Sequence, residues 1–256
     1  MDTWNPPQYS KFLREREQPF ADLLALIVPA DSMRVVDLGC GTGALTRRLH
    51  ATLHARETTG IDRSPRMLEV AQRDPLPDGL RFEVGTVESF AGDAEYDLIF
   101  SNAVFHWIED HRALIARLFA ALKPGGQLAF QIPAMHHSIT HALPDQLAAG
   151  PPFRDVFAGW QRPQPVLPPE EYSRLLFRTG FTAPRVHLII YPHVLNSRED
   201  VVEWLRGTLL TEYEKRLSPK QYEDFVAAYR EALIPQLPED RPFFFPFTRL
   251  LCWGKR

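Results

Sequence analysis

Short apolar runs alternate with segments of helical periodicity between residues 31 and 132. The runs carry β-branched and aromatic residues, and the segments between them repeat apolar side chains three and four positions apart. Strands are predicted near residues 35–37, 58–61, 81–84, 96–103 and 127–132. Because strand and helix alternate, the sheet is expected to be parallel at its centre and covered by helices.

The pattern changes after Pro133. Residues 133–169 are weakly patterned and rich in Pro, His and Gln, which predicts either a substrate lid or a flexible insertion. Helices are predicted farther along at residues 170–179, 197–210 and 218–234, and strands at 185–191 and 247–253. Each of the last two helices opens with a pattern like a capping box, Ser197 with Asp200 and Ser218-Pro219 with Gln221. The last two helices interrupt what would otherwise be the closing hairpin of the sheet, so we expect them to form a cap.

These elements predict a Rossmann-like α/β fold with a mostly parallel seven-stranded sheet, flanking helices and a helical cap. We expect one domain over residues 1–256. Its core is residues 31–132 with the strands near 185–191 and 247–253, and its cap is residues 133–169 and 192–246. Apolar spacing at residues 10–28 predicts a helix broken at Pro19, serving either as a packing arm or as a cover for a ligand.

Residues 35–43, Val-Val-Asp-Leu-Gly-Cys-Gly-Thr-Gly, combine a strand end, a tight turn and a helix start. Gly39 can take positive φ, and Gly41 and Gly43 carry no Cβ, so the backbone can approach a ligand closely. Such a loop holds a nucleotide-like cofactor. Asp37 places a carboxylate at the strand end, where it can accept hydrogen bonds from an ammonium group but would repel a pyrophosphate.

A second carboxylate, Asp62, ends the next predicted strand. It can accept hydrogen bonds from both hydroxyls of a ribose. NAD and S-adenosylmethionine (AdoMet) both carry that ribose, and the glycine spacing also fits dinucleotide loops, so these residues alone do not choose the cofactor.

Two further sites favour AdoMet: Tyr96 to Ala103, and Leu122-Lys123-Pro124-Gly125-Gly126. In order and spacing the four sites resemble the signature of class I AdoMet-dependent methyltransferases, over roughly residues 31–132. In that class an acidic residue often stands where this chain has Thr86, so we expect the backbone there to contact the adenine. The resemblance implies these cofactor-binding residues: Arg16, Asp37, Gly39, Cys40, Gly41, Asp62, Arg63, Met67, Thr86, Val87 and Asn102.

The flanking sequence is similar to the trans-aconitate 2-methyltransferase family nearly end to end. The similarity rests on Trp4-Asn5-Pro6, on Asn102-Ala103 with His106-Trp107, and on Trp204 with Thr208. It implies that the chain methylates a carboxylate of a small acid, most specifically trans-aconitate. One departure is Thr211-Glu212, where the family tends to carry Arg-Pro. An anion there would weaken binding of a tricarboxylate unless the segment faces away from the site.

A carboxylate acceptor is ionised at neutral pH and needs no general base. His106 is a candidate base, which a hydroxyl acceptor would require. Cations are needed to hold a carboxylate-rich acceptor, and the sequence does not rank Arg16, Arg154, Arg162, Arg206 and Arg241. The predicted acceptor contacts are Tyr9, His106, Trp107, Arg154, Arg206 and Arg241.

Composition narrows the partners. The net charge of -3 provides no basic field for nucleic acid, and no apolar run is as long as a membrane span, so we expect a cytoplasmic protein that does not bind nucleic acid. The sequence does not determine the oligomeric state, and a monomer is the expectation. Cys40 and Cys252 have no metal-ligand spacing, and the histidines near residue 136 have no acidic partner at helical spacing, so no metal site is expected.

Other functions stay open at this level. A methyltransferase of the same fold could act on another small acid, an acyl carrier or a natural-product hydroxyl. A nicotinamide-dependent dehydrogenase is disfavoured by Asp37 and by the Pro124-Gly125-Gly126 turn. A non-catalytic module would bind AdoMet without turning over any acceptor.

Overall fold

The computed structural model describes the backbone of residues 14–256 and the side chains from residue 17 onward. Its strands are β1 (Arg34–Leu38), β2 (Glu57–Asp62), β3 (Leu80–Val84), β4 (Tyr96–Asn102), β5 (Leu122–Pro133), β6 (Thr182–Leu195) and β7 (Phe243–Lys255). They form one seven-stranded sheet in the order β3-β2-β1-β4-β5-β7-β6. Strand β7 is antiparallel to β5 and β6, and the other neighbours are parallel, which confirms the predicted sheet.

Helices cover both faces of this sheet. They are α1 (Arg14–Leu24), α2 (Ala44–Leu53), α3 (Pro65–Ala71), α4 (His111–Ala121), α5 (Ile139–Ala149), α6 (Arg154–Phe157), α7 (Pro169–Thr179), α8 (Asp200–Arg206), α9 (Thr211–Glu214) and α10 (Pro219–Leu233). Short 3₁₀ turns occupy Phe105–Trp107 and Ile234–Gln236. No helix within residues 14–256 combines the length and apolarity needed to cross a bilayer.

The predicted break of the first helix at Pro19 is wrong. The helix continues through this residue, and the following Phe20 and Leu23 are fully buried against the sheet. Burial of two large side chains offsets the hydrogen bond that proline cannot donate. Phe20 also contacts Phe100 of β4 edge to face, at 5.5 Å between ring centroids.

The segment after Pro133 is more regular than its composition predicts. Helices α5 and α6 occupy much of it, and Leu143, Phe153 and Phe157 are buried among aromatic residues of α9 and α10. A flexible insertion would not bury such side chains, so this segment belongs to the cap.

The late helices differ in their start signals. Ser218 and Gln221 form the predicted capping box at the start of α10. The similar prediction for Ser197 and Asp200 is wrong, because Asp200 instead accepts a hydrogen bond from the backbone N–H of Asn196, and α8 is shorter than predicted.

The hairpin of β6 and β7 positions the cap. Both strands extend beyond the predicted bounds, and their pairing continues to Leu195 opposite Phe243. This end of the hairpin lies at the carboxyl edge of the parallel strands, where Phe243, Phe245 and Phe247 pack with α8, α9 and α10. The cap therefore stands over the edge at which ligands bind in open α/β sheets.

Candidate active site

A cleft of about 80 Å³ opens at the carboxyl ends of β1, β2 and β4. The strand order reverses between β1 and β4, which is the usual ligand position in such sheets. Eight of the residues predicted to bind the cofactor line this cleft: Gly39, Gly41, Asp62, Arg63, Met67, Thr86, Val87 and Asn102.

The glycine loop takes the geometry that a close ligand approach requires. Gly39 has φ of 80° and Gly41 has φ of 55°, a region that favours glycine. The N–H groups of Gly39 and Cys40 donate to the carbonyl of Ile61, at 2.7 and 3.0 Å. A Cβ at Gly39 would collide with Val104, whereas the space beside Gly41 is open. The loop is thus hydrogen-bonded to β2, and at Gly41 no side chain separates its backbone from the open space beside it.

Asp62 is fixed by backbone donors. Its Oδ2 accepts from the N–H of Gly41 at 2.8 Å, and its Oδ1 accepts from the N–H of Ser64 at 2.9 Å. Each carboxylate oxygen has two lone pairs, so both can still accept a hydrogen bond from a ligand. Asp62 lines the cleft, and its geometry fits the predicted contact with two ribose hydroxyls.

Asp37 lies beneath the loop and does not line the cleft. It is 3% exposed, and its Oδ2 accepts from the Thr46 hydroxyl at 2.6 Å. Its Oδ1 has no hydrogen-bond partner among the described residues. Burial raises the pKa of Asp37 to about 7. A buried carboxylate oxygen below the loop fits a cofactor that brings a cationic donor.

Cys40, another residue predicted to bind the cofactor, does not line the cleft. The Cys40 thiol points into an apolar cluster with Leu68, Ala71, Leu80 and Phe82, and burial raises its pKa well above the usual range. The side chain of Arg16 and the whole of Tyr9 lie outside the described residues.

A second, larger cavity of about 340 Å³ adjoins the cleft. The two spaces share Arg63, Ala103 and Trp107. The wall includes apolar side chains from the cap and from β7, among them Met135, Val166, Trp204, Leu209 and Phe247. It also includes Arg63, Arg162, Lys215, Arg216 and Arg249, with Glu109 and Glu212 as the acidic residues. An apolar wall with an excess of cations suits a small anionic molecule that has a hydrocarbon skeleton.

The cations of this cavity are held in different ways. Arg162 pairs with Asp145 at 2.7 Å, and Arg216 lies 3.9 Å from the centre of the Trp160 ring. Arg249 lies on β7, is 3% exposed and donates from Nη1 to Oε1 of Gln131 at 3.3 Å. Arg249 therefore brings a buried, oriented guanidinium to the cavity.

Glu212 belongs to the Thr211-Glu212 pair, which stands where the family tends to carry Arg-Pro. It lines the cavity, so the Thr211-Glu212 segment does not face away from it. Glu212 forms an ion pair with Lys215, which lines the same cavity. The anion is therefore locally compensated, and its cost to an anionic ligand is smaller than the sequence implies.

The structure does not bring Arg154, Arg206 and Arg241 to the cavity. Arg154 is largely exposed beside Asp155, and Arg206 pairs with Glu223 at 2.7 Å on the surface. Arg241 lies in a separate surface group with Arg198 and Glu199.

The sequence analysis did not predict Arg249, although a single charged residue within the apolar run from Phe243 to Trp253 was a usable signal. Nothing in the local sequence distinguishes Lys215 or Arg216.

The predicted contacts His106 and Trp107 both line the larger cavity. Their rings lie 4.5 Å apart between centroids. Burial, and secondarily the charge of Arg249, lowers the pKa of His106 to about 3. Burial likewise lowers the pKa of His141 to about 3. Both imidazoles are neutral at physiological pH, and such a low pKa makes His106 a weak base.

Within the described residues, no three His, Cys, Asp or Glu side chains are grouped as a metal site.

Comparison with known proteins agrees with this geometry. The profile of a family described as "Methyltransferase domain" matches residues 35–126. The trans-aconitate 2-methyltransferase of Deinococcus radiodurans is 38% identical, covering 99% of this chain and 98% of its own. That of Methylobacterium nodulans is 38% identical, covering 100% and 99%. The structure of an AdoMet-dependent methyltransferase from Mesorhizobium loti shares the fold, with a TM-score of 0.53 at 21% identity over 92% of this chain and 96% of that one.

The sheet order, the glycine loop and these matches define the chain as a class I AdoMet-dependent methyltransferase. Its cofactor is AdoMet. Similarity over the whole length goes further: the chain belongs to the trans-aconitate 2-methyltransferase family.

Proposed function

We propose that this enzyme transfers the methyl group of AdoMet to a carboxylate of trans-aconitate, forming a methyl ester. The observation that carries the proposal is the cationic, partly apolar cavity that adjoins the cofactor cleft through Arg63, Ala103 and Trp107. The name of the relatives supports the choice of trans-aconitate. An assay with AdoMet, trans-aconitate and a panel of other small acids tests it.

AdoMet supplies an electrophilic methyl group on a sulfonium. An acceptor carboxylate oxygen forms the new C–O bond while the C–S bond breaks and its electron pair stays on sulfur, so no proton is transferred. The protein's part is to hold the carboxylate in line with that bond, at about 3 to 3.5 Å from the methyl carbon. We assign that role to the cations of the larger cavity, with the apolar wall contacting the acceptor's carbon skeleton.

His106 tests the choice between a carboxylate and a hydroxyl acceptor. Replacing His106 with Gln should lower kcat by less than about tenfold, because an ionised carboxylate needs no base. The same change would remove a catalytic base if the acceptor were a hydroxyl. Initial rates with trans-aconitate, together with calorimetric titration of S-adenosylhomocysteine, measure the effect. A loss of roughly 100-fold or more in kcat at unchanged cofactor affinity would favour the hydroxyl alternative.

Asp37 should make cofactor binding depend on pH. Its pKa of about 7 in the free enzyme is raised by burial, so the carboxyl is mostly protonated below that value. A cationic ammonium group bound nearby favours the ionised form, so binding releases a proton below pH 7. The affinity for S-adenosylhomocysteine should therefore rise by up to about tenfold per unit from pH 6 to pH 7 and then level off.

Calorimetry in buffers of different ionisation enthalpy measures that proton release. The same linkage predicts that the unliganded enzyme loses folding stability as pH rises from the ordinary pKa of an aspartate, about 4, to the raised pKa of Asp37, about 7, and that this loss levels off above pH 7. Replacing Asp37 with Asn should remove the pH dependence of binding. Equal affinity of the unaltered enzyme at pH 6 and pH 7.5 would contradict the assignment.

We also propose that residues 1–256 form one domain and that the enzyme acts in the cytoplasm as a monomer without nucleic acid. The hairpin of β6 and β7 supports the first part, because it joins the cap core to the sheet.

A further inference from the structure

A chain of three buried polar side chains runs between the cleft proposed for AdoMet and the larger cavity proposed for trans-aconitate. These two spaces are called the cofactor cleft and the acceptor cavity below. Asn102 lines the cleft and Arg249 lines the cavity. Gln131 lies between them, and its Nε2 donates to Oδ1 of Asn102 at 2.7 Å while its Oε1 accepts from Nη1 of Arg249 at 3.3 Å. The three are 9%, 1% and 3% exposed in the order Asn102, Gln131, Arg249.

Strand register explains why these side chains meet. Asn102 of β4 is paired directly with Gln131 of β5, and Gln131 is paired with Leu251 of β7. Arg249 lies two residues before Leu251, and side chains alternate along a strand, so all three project from the same face of the sheet. The chain is thus built into the pairing of three adjacent strands.

We propose that Gln131 is a positioning residue that couples the cofactor site to the acceptor site. This rests on the proposed function for its acceptor half. Gln131 lines neither space among the described residues, yet one rigid carboxamide orients a group in each. Because it donates to Oδ1 of Asn102, the Asn102 amide nitrogen is left to donate to the cofactor. Its Oε1 at the same time fixes the direction of the Arg249 guanidinium toward an acceptor carboxylate.

The consequence is energetic coupling between the two ligands. A cofactor that orders Asn102 also orders Gln131 and hence Arg249, so each ligand should bind more tightly when the other is present. Such coupling is reciprocal, and values of about 5- to 150-fold are typical. We expect trans-aconitate to tighten the binding of S-adenosylhomocysteine by at least about fivefold.

A matched control is available on the same strand. Gln127 is 4% exposed, and its Oε1 accepts from the N–H of Val28 at 2.9 Å and from Nε1 of Trp253 at 3.0 Å. It lines neither space in the described part of the chain. Gln127→Met removes a buried, hydrogen-bonded carboxamide as Gln131→Met does, and thermal unfolding should register a loss of stability for both.

The experiment is calorimetric titration of S-adenosylhomocysteine into the unaltered enzyme, Gln131→Met and Gln127→Met, each with and without trans-aconitate. Gln131→Met should bind S-adenosylhomocysteine about tenfold more weakly, because Asn102 is no longer oriented by the hydrogen bond from Gln131. In this variant trans-aconitate should not increase the affinity for S-adenosylhomocysteine. Gln127→Met should keep both the affinity and the tightening. Tightening that survives in Gln131→Met would overturn the proposal.

Gln131→Glu separates positioning from a purely structural role. A carboxylate still accepts from Arg249 but cannot donate to Asn102, and its charge competes with the acceptor for the guanidinium. We expect this variant to raise the KM for trans-aconitate more than Gln131→Met does. The reverse order of KM values would contradict the role given to Arg249.

Failure of the substrate assignment gives a different pattern. If the unaltered enzyme binds S-adenosylhomocysteine but not trans-aconitate, the proposed acceptor is wrong. The hold of Gln131 on Asn102 is then judged on S-adenosylhomocysteine alone: weaker binding in Gln131→Met than in Gln127→Met supports it, and equal binding overturns it.

Discussion

Replacing Asp62 with Ala is expected to weaken the binding of S-adenosylhomocysteine by roughly 100-fold or more. The variant would lose the two charge-assisted contacts that we propose Asp62 makes to the ribose, and each such contact contributes about 1.5 to 3 kcal/mol. It also loses the carboxylate that accepts from the N–H groups of Gly41 and Ser64, so the loop and the start of α3 are no longer held together. Isothermal titration calorimetry measures the affinity.

Asp97 provides the control for this variant. It too accepts from a backbone N–H, that of Arg34 at 2.7 Å, and it pairs with Lys123 at 2.8 Å, but it lies at the opposite edge of the sheet. Asp97→Ala should lower the unfolding temperature and change the affinity for S-adenosylhomocysteine by less than about threefold, because it touches no ligand. Equal losses of affinity in the two variants would show that Asp62 acts only through the fold.

Replacing Arg249 with Met is expected to lower kcat/KM for trans-aconitate by roughly 100-fold or more. Removing one side of a buried, oriented charge pair costs about 2 to 5 kcal/mol, and Arg249 is the most buried cation of the acceptor cavity. Affinity for S-adenosylhomocysteine should change by less than about threefold, because Gln131 still donates to Asn102. Steady-state kinetics and calorimetry on the same preparation give both quantities.

Arg206→Met is the matched control for Arg249. Arg206 is a cation of the cap whose surface pairing with Glu223 keeps it away from the cavity. Surface ion pairs contribute little, so kcat/KM should stay within about twofold of the unaltered enzyme. A large loss of activity in Arg206→Met with little change in Arg249→Met would place the acceptor elsewhere in the cap.

The residues that line the cleft proposed for the cofactor could be located from the sequence because their signals are local. Gly39, Gly41 and Asp62 act at the ends of two strands, and each needs only a turn and a strand end to be placed. The strands of the sheet could be predicted for the same reason, because each is marked by a local run of apolar residues. Asp37 is the exception: its position at the strand end was predicted, but burial below the loop depends on Thr46 and on the packing of α2.

The acceptor half depends on contacts between distant segments. The cavity joins residues after β4 and β5 to the cap and to β7, so the cations facing it are selected by packing and not by sequence spacing. Arg162 and Arg206 look alike in the sequence, yet Asp145 directs one toward the cavity and Glu223 holds the other on the surface. Proline-rich composition also concealed α5, whose helix forms because Leu143 and Ala148 are buried in the cap.

The most direct test is to incubate the enzyme with AdoMet and trans-aconitate and to follow the product by mass spectrometry together with S-adenosylhomocysteine. The account predicts a monomethyl ester of trans-aconitate formed in equal amount to S-adenosylhomocysteine, at a higher kcat/KM than for other small acids. No ester from trans-aconitate, alongside efficient methylation of a hydroxyl or of another acid, would contradict the acceptor assigned to the cavity.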